Sequence, residues 1–136
     1  MFDLPVMEES EVRIMSPQVL AFVGDGVYSL FIRQRQISLN KNLKGKDLHA
    51  SVINFVKASG QSNFIEKLMP ILTDKEMAIF KRARNYKALS QAKNQSIIDY
   101  KRATGLEAVI GYLYLIGETN RLNELLNLSV GEKNEG

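Results

Sequence analysis

Apolar residues recur every three or four positions along most of the chain, which is the spacing of a helix face packed against a core. Two patterns mark helix starts: Ser16-Pro17, and the capping box Thr73-Asp-Lys-Glu76. No stretch alternates apolar and polar residues between turn signals, as a half-buried strand would. The pattern therefore predicts an all-α fold. The predicted helices span residues 17–36, 47–59, 62–69, 74–85, 96–117 and 120–128, with Asp47 capping the second and Gly60 interrupting before the third.

The length of 136 residues suits one domain with a sizeable core. We predict an N-terminal arm over residues 1–15, one helical domain over residues 16–128 and a polar tail over residues 129–136. The chain has no cysteine, which excludes disulfides and thiolate zinc sites. No apolar run reaches the roughly 20 residues of a membrane span, and the acidic N-terminus does not resemble a signal peptide. We expect a cytoplasmic protein with no membrane partner.

Two acids are candidates for buried carboxylates, because each lies on an otherwise apolar helix among glycines. Asp25 has a glycine on either side, and Glu107 lies between two glycines of the longest predicted helix. A glycine within a helix costs about 1 kcal/mol relative to alanine, and a carboxylate costs more unless it is paired or binds a metal. Two such carboxylates brought together would form an oxygen site suited to Mg²⁺. The alternative is that each acid pairs with a base such as Lys101 or Arg102, or faces solvent.

The net charge is +3, but the positive charge is concentrated in a basic segment from Lys81 to Arg102, in which Asp99 is the only acid. Such a segment is either a solvated surface or a surface that follows the phosphates of a nucleic acid. Tyr86 within it could stack on a base or anchor the chain to the core. The candidate RNA-binding residues are Lys81, Arg82, Arg84, Lys87, Lys93, Lys101 and Arg102.

Several catalytic designs are excluded by what the sequence lacks. The single histidine, His49, cannot supply the two imidazoles of a metal-independent ribonuclease, and we interpret it as a local hydrogen-bonding residue. The serines lack the context of a nucleophile elbow. The glycines are dispersed and do not form a phosphate-binding loop.

The segment VGDGVYSLFIR resembles the signature motif of the ribonuclease III family, and LEAVIGYLYL resembles the second motif of that family. With KDLHASVINFVKASGQ and FKRARNYKA, the chain is similar to the Mini-III branch over residues 16–128. The resemblance implies a homodimeric, all-α endoribonuclease that cuts double-stranded RNA. It implies that Asp25 and Glu107 are catalytic ligands of Mg²⁺, for which Mn²⁺ can substitute. The implied reaction trims both ends of the 23S ribosomal RNA precursor and leaves 5′-phosphate and 3′-hydroxyl products.

The chain departs from longer family members, which have two further acids one turn before Asp25 and Glu107. Those positions hold Ala21 and Thr104, so we favour one Mg²⁺ per subunit. Because few residues follow Leu128, we expect the basic segment to bind the RNA, and a ribosomal protein is a conceivable further partner. Two alternatives stay open: a module of this fold that holds structured RNA without cutting it, and a helical interaction protein without RNA affinity.

Overall fold

The structure, a computed structural model, describes residues 2–86 and 97–131, apart from the side chains at positions 58, 59, 62 and 63. Within these ranges every regular element is a helix, which confirms the predicted all-α class. The α-helices of the described chain are α1 Glu9–Val12, α2 Pro17–Leu39, α3 Gly45–Val56, α4 Ala58–Leu68, α5 Asp74–Arg84, α6 Ile97–Leu115 and α7 Thr119–Ser129. A 3₁₀ turn, Met69–Ile71, follows α4.

The predicted starts of α2 and α5 are confirmed by their caps. The Ser16 hydroxyl accepts a hydrogen bond from the backbone N–H of Gln18 at 3.3 Å, and Pro17 occupies the first helical position. At α5, Thr73 Oγ1 accepts from the backbone N–H of Glu76 at 3.2 Å. In return, Glu76 Oε1 accepts from the backbone N–H of Thr73 at 2.9 Å. These bonds join residues two or three positions apart, which is why the sequence alone indicates them.

The α3–α4 region differs from the prediction. α3 begins at Gly45, ahead of Asp47, and Lys57 in an extended conformation separates α3 from α4. Gly60, which was expected to interrupt the helices, lies inside α4. A Cβ atom at this position would lie 2.1 Å from the carbonyl oxygen of Asn54. The glycine therefore allows α4 to pack on α3, and the predicted break at Gly60 is wrong.

The core is organised around α6, which contacts α2, α4, α5 and α7. Leu20 and Ile32 of α2 and Leu106 and Ile110 of α6 are almost completely buried. Full burial of such a side chain stabilises the fold by about 1.5–3 kcal/mol. The most extensive contact is between α2 and α6, so the two helices that contain the candidate acids are held against each other.

The N-terminal residues pack along the C-terminal half of α6. The backbone N–H of Met7 donates to the carbonyl oxygen of Leu115 at 2.9 Å, and the Tyr112 hydroxyl donates to the Glu9 carboxylate at 2.7 Å. Val12 of α1 is fully buried. Residues 7–12 are therefore fixed to the domain. Within the described ranges, no helix is long and apolar enough to cross a membrane.

Candidate active site

The backbones of α2 and α6 touch where the helices cross. A Cβ atom on Gly24 would lie 1.6 Å from the carbonyl oxygen of Glu107, and one on Gly111 would lie 2.0 Å from the carbonyl oxygen of Leu20. Both positions therefore require glycine. Gly26 differs from them, because nothing lies within 4 Å of its Cβ position and the contact between the helices does not require a glycine there.

The crossing brings the two candidate acids together. Asp25 follows Gly24 and is exposed on α2, whereas Glu107 is half-buried on α6. The two carboxyl groups lie within hydrogen-bonding range of each other. Of the two acids predicted to be buried, only Glu107 is withdrawn from solvent. Asp25 lies at the surface, where a ligand can reach it.

The charge of the pair is the main electrostatic feature of this site. Burial, the hydrogen bond with Asp25 and the negative charge of Asp25 raise the pKa of Glu107 to about 8. The side-chain amide of Gln61 opposes this effect by donating to Glu107 Oε2 at 3.4 Å. Two carboxylates this close resist ionising together. In the metal-free protein the pair is therefore harder to ionise fully than two separate carboxyl groups.

The acids lie in the wall of a cavity of about 330 Å³ between α2, α5 and α6. Its aromatic side chains are Phe22, which is 81% exposed, Tyr86 and Tyr100. Gln18 also lines it. Sequence analysis missed Gln18, Phe22 and Tyr100. A signal was present for two of them, because Gln18 and Phe22 lie seven and three residues before Asp25, which is helical spacing on one face.

A divalent cation fits these donors. Asp25 and Glu107 offer hard oxygen ligands, and a cation between them would offset the burial and the repulsion from Asp25 that raise the pKa of Glu107. The described residues include no group of three or more His, Cys, Asp or Glu side chains that could hold a metal. The protein would thus supply two carboxylates and leave the other positions to water or substrate. Mg²⁺ is commonly bound in this way, through one or two carboxylates and substrate phosphates.

The nearby bases do not both neutralise this pair. Arg102 forms an ion pair with Glu66 of α4. Lys101 lines the cavity together with Asp25 and Glu107. The alternative in which Arg102 neutralises one of the candidate acids is therefore wrong. Among the described residues that line the cavity, Lys101 is the basic side chain.

The basic residues of α5 are partly engaged within the protein. Arg82 Nη2 donates to the carbonyl oxygen of Met15 at 2.8 Å. The Arg84 guanidinium lies 5.7 Å from the centre of the Phe80 ring. Lys81 is exposed. Two predicted RNA-binding residues lie outside the described ranges, namely Lys87 and Lys93.

His49 lies away from this cavity. It is exposed on α3, and the nearby Ser51 hydroxyl donates to the carbonyl oxygen of Leu48 at 2.8 Å. The residues that line the cavity do not include it. Its position thus gives it no catalytic role at this site.

Comparison with known proteins identifies the family. The sequence model of the family described as ribonuclease III domain matches residues 18–118 of this chain. This range includes both acids and the described residues that line the cavity. The chain belongs to the ribonuclease III family. Membership of this family makes it an endoribonuclease.

Relatives of this ribonuclease III match nearly the whole chain. The Mini-ribonuclease 3 of Clostridium tetani is 46% identical over 133 residues, covering 94% of this chain and 88% of that protein. The Mini-ribonuclease 3 of Thermoanaerobacter sp. is 40% identical over 125 residues, covering 92% and 87%. A crystal structure of a protein from Fusobacterium nucleatum superposes with a TM-score of 0.78 at 30% identity, covering 89% of this chain and 96% of that one.

The two positions where this ribonuclease III lacks expected acids also face the site. Ala21 and Thr104 line the cavity beside Asp25 and Glu107. Thr104 Oγ1 donates to the carbonyl oxygen of Tyr100 at 2.9 Å, which leaves its lone pairs available to a donor in the cavity. The cavity therefore has less negative charge than it would have with acids at positions 21 and 104.

Proposed function

We propose that this ribonuclease III is a Mg²⁺-dependent endoribonuclease of double-stranded RNA in which Asp25 and Glu107 hold the metal. The observation that carries the proposal is the meeting of these two carboxylates in the wall of one cavity. Their mutual repulsion in the metal-free protein also supports it, because a divalent cation would relieve that repulsion. The relatives named Mini-ribonuclease 3 support the same reaction class.

The side chains around the acids have complementary roles in this reaction. Bound Mg²⁺ would supply an activated water for in-line attack and stabilise the charge that develops on the phosphate. Lys101 would contact a phosphate oxygen with its ammonium group, since it shares the cavity with both acids. The Thr104 hydroxyl can accept a hydrogen bond from a water molecule in the cavity. The products would carry 5′-phosphate and 3′-hydroxyl ends.

The basic segment would hold the duplex by its phosphates. Such contacts give affinity without base recognition, and A-form RNA is read mainly by its shape. The internal contacts of Arg82 and Arg84 do not use all five N–H donors of each guanidinium, so the remaining donors can bind phosphate. The residues proposed to bind RNA are Lys81, Arg82, Arg84, Lys87, Lys93, Lys101 and Arg102.

The active form would be a homodimer, in which each subunit cuts one strand. Apolar side chains of α2 support this proposal, because Phe22 and Leu39 are 81% and 64% exposed. Beside α2, a groove of about 1160 Å³ is lined by apolar residues that include Val27, Leu30 and Leu113. Exposed apolar grooves often mark protein–protein interaction sites. A second copy of the chain would cover this groove.

The substrate would be the stem at the ends of the 23S ribosomal RNA precursor. The resemblance to the Mini-III branch is the basis of this assignment, and a cytoplasmic location goes with it. A ribosomal protein could help to present the stem. Mn²⁺ would replace Mg²⁺, because it also accepts carboxylate and water ligands in an octahedral arrangement.

The test is cleavage of an end-labelled precursor stem with Mg²⁺ or EDTA. We expect discrete Mg²⁺-dependent cuts by the wild type and by Asp3→Asn, a control at an exposed position outside the cavity. Asp25→Asn should abolish the cuts while RNA binding and the unfolding temperature are retained. Cleavage that persists in EDTA, or in Asp25→Asn, would overturn the assignment of these ligands.

A second candidate is a module that holds structured RNA without cutting it. It is favoured by Ala21 and Thr104, which leave the cavity with two carboxylates where longer family members have four acids. Salt-sensitive binding without products, over a wide range of Mg²⁺ and Mn²⁺ concentrations, would establish this reading instead.

A further inference from the structure

Gln61 is a buried polar side chain next to the candidate metal site. It lies in the first half of α4 and is 2% exposed. Its Nε2 atom donates to the carbonyl oxygen of Val56 at 2.9 Å and to Glu107 Oε2 at 3.4 Å. Burying an amide costs free energy unless its hydrogen bonds are made within the protein. Packing of the core alone does not explain a glutamine at this position, because an apolar side chain could be buried there at a lower cost in free energy.

The orientation of the amide follows from its neighbours. Both the Val56 carbonyl and the Glu107 carboxylate are acceptors, so the NH₂ group has to face them. The other amide atom, Oε1, is buried and has no hydrogen-bond partner among the described residues. A methionine or leucine would fill a similar volume without an unpaired buried oxygen. The cost is explained if the contact with Glu107 serves the reaction.

The backbone around Gln61 is fixed from two directions. Its own N–H donates to the carbonyl oxygen of Lys57 at 3.1 Å. The preceding Gly60 packs against the carbonyl oxygen of Asn54 in α3 so closely that no Cβ atom would fit. One turn further along α4, Phe64 stacks on Phe55 of α3 with ring centres 5.8 Å apart. The amide is therefore presented to Glu107 by two closely packed helices, α3 and α4.

We propose that Gln61 is a positioning residue that holds the Glu107 carboxylate, through the bond to Oε2, in the orientation that lets it share a divalent cation with Asp25. This inference rests on the proposed metal role of Glu107. The metal site would then draw on three helices, with ligands from α2 and α6 and a supporting donor from α4. Supporting donors of this kind typically change metal affinity or activity by about 10–100-fold when removed.

The experiment measures Mn²⁺ binding to the RNA-free protein by electron paramagnetic resonance, alongside the Mg²⁺ concentration for half-maximal cleavage. Gln61→Met keeps the length and volume of the side chain but removes the donor. We expect about 10-fold weaker Mn²⁺ binding and a matching rise in the Mg²⁺ midpoint, with the cleavage rate restored at saturating Mg²⁺. Ile65→Val, a buried control on the same helix, should lower the unfolding temperature without changing either midpoint.

Two other results would overturn the inference, and they are distinguishable. If Gln61→Met binds Mn²⁺ as tightly as the wild type and Asp25→Asn binds it more weakly, Gln61 has only a structural role, namely its hydrogen bond to the Val56 carbonyl oxygen. If neither Asp25→Asn nor Glu107→Gln weakens Mn²⁺ binding, the proposed metal site itself fails. If Gln61→Met does not fold, Gln61→Asn replaces it, because its side chain retains an amide but is too short to reach Glu107. The same two measurements, Mn²⁺ binding and the Mg²⁺ concentration for half-maximal cleavage, then test the inference.

Discussion

The carbonyl oxygen of Glu107 occupies the space that a side chain on Gly24 would need, since a Cβ atom there would lie only 1.6 Å away. The residue that follows Gly24 in the chain is Asp25, the partner of Glu107. The same close contact that joins the two helices therefore also sets the distance between the two carboxylates. The packing of α2 on α6 and the position of the candidate metal ligands therefore depend on the same backbone contact, between Gly24 and Glu107.

Gly24→Ala should destabilise the protein by about 1–3 kcal/mol or more, because α2 and α6 must separate to admit the methyl group. Gly26→Ala is the matched control on the same helix, where the Cβ position is open. It should stabilise the protein by about 0.4–1 kcal/mol. Urea unfolding of both variants measures the difference, and equal effects would contradict the contact at Gly24.

The metal-free protein should lose stability as the pH rises from about 4.5 to about 8. Over this range folded Glu107, with its pKa raised to about 8, holds a proton that the unfolded carboxyl has already released. The folded state then binds more protons than the unfolded state, so stability falls as pH rises, by at most about 5 kcal/mol. Unfolding in EDTA at several pH values measures this slope. Glu107→Gln should flatten it, and an unchanged slope would assign it to other groups.

Restoring an acid should strengthen metal binding. Thr104→Asp adds a third carboxylate to the cavity that holds Asp25 and Glu107. We expect a roughly 10-fold lower Mg²⁺ midpoint for cleavage, because the negative charge of the ligands largely sets the affinity of such sites. Asn120→Asp adds the same charge at an exposed position of α7 and should leave the midpoint unchanged. A Thr104→Asp midpoint equal to that of the control would argue against a metal in this cavity.

A second electrostatic cluster is structural. The buried Glu76 carboxylate accepts from Arg121 at 2.7 and 2.9 Å. Burial by itself would raise the pKa of Glu76, but Arg121 and Thr73 lower it overall. The stabilisation is present above the ordinary pKa of Glu76 and should be lost as the pH falls through the lowered one. At pH 7, Arg121→Met should cost about 3–5 kcal/mol in thermal unfolding, because it leaves a buried charge unpaired.

The control for this cluster is Arg13→Met, which removes an exposed ion pair with Glu9 at 3.8 Å. Such pairs contribute at most about 1 kcal/mol. If both arginine variants lose the same stability, the Glu76 cluster has no special role. Neither residue lines the cavity, so any Arg121→Met protein that is folded should still cleave RNA.

The dimer proposal predicts that the apolar groove is the subunit interface. Leu30→Lys places a charge in the groove and should shift the protein to monomers in sedimentation velocity. Ile53→Lys changes a comparably exposed apolar side chain on α3, outside the groove, and should leave the dimer intact. A wild-type protein that sediments as a monomer would refute the homodimer directly.

Features that depend on neighbouring residues were predictable from the sequence. The caps at Ser16 and Thr73 and the helical class follow from bonds within one turn and from the spacing of apolar positions. Asp25 and Glu107 were identifiable because a carboxylate among glycines on an apolar helix violates local preferences. Each of these signals can be recognised without knowing what lies across the core.

The contacts between residues across the core could be seen only in the folded chain. The tertiary structure placed Gly60 within α4 because of a carbonyl oxygen on α3, and it paired Arg102 with Glu66 of a different helix. It brought Gln61 to Glu107, a contact between residues 46 positions apart that no local pattern encodes. Such contacts depend on how whole helix faces pack, and packing is a property of the assembled core that a short stretch of sequence does not specify.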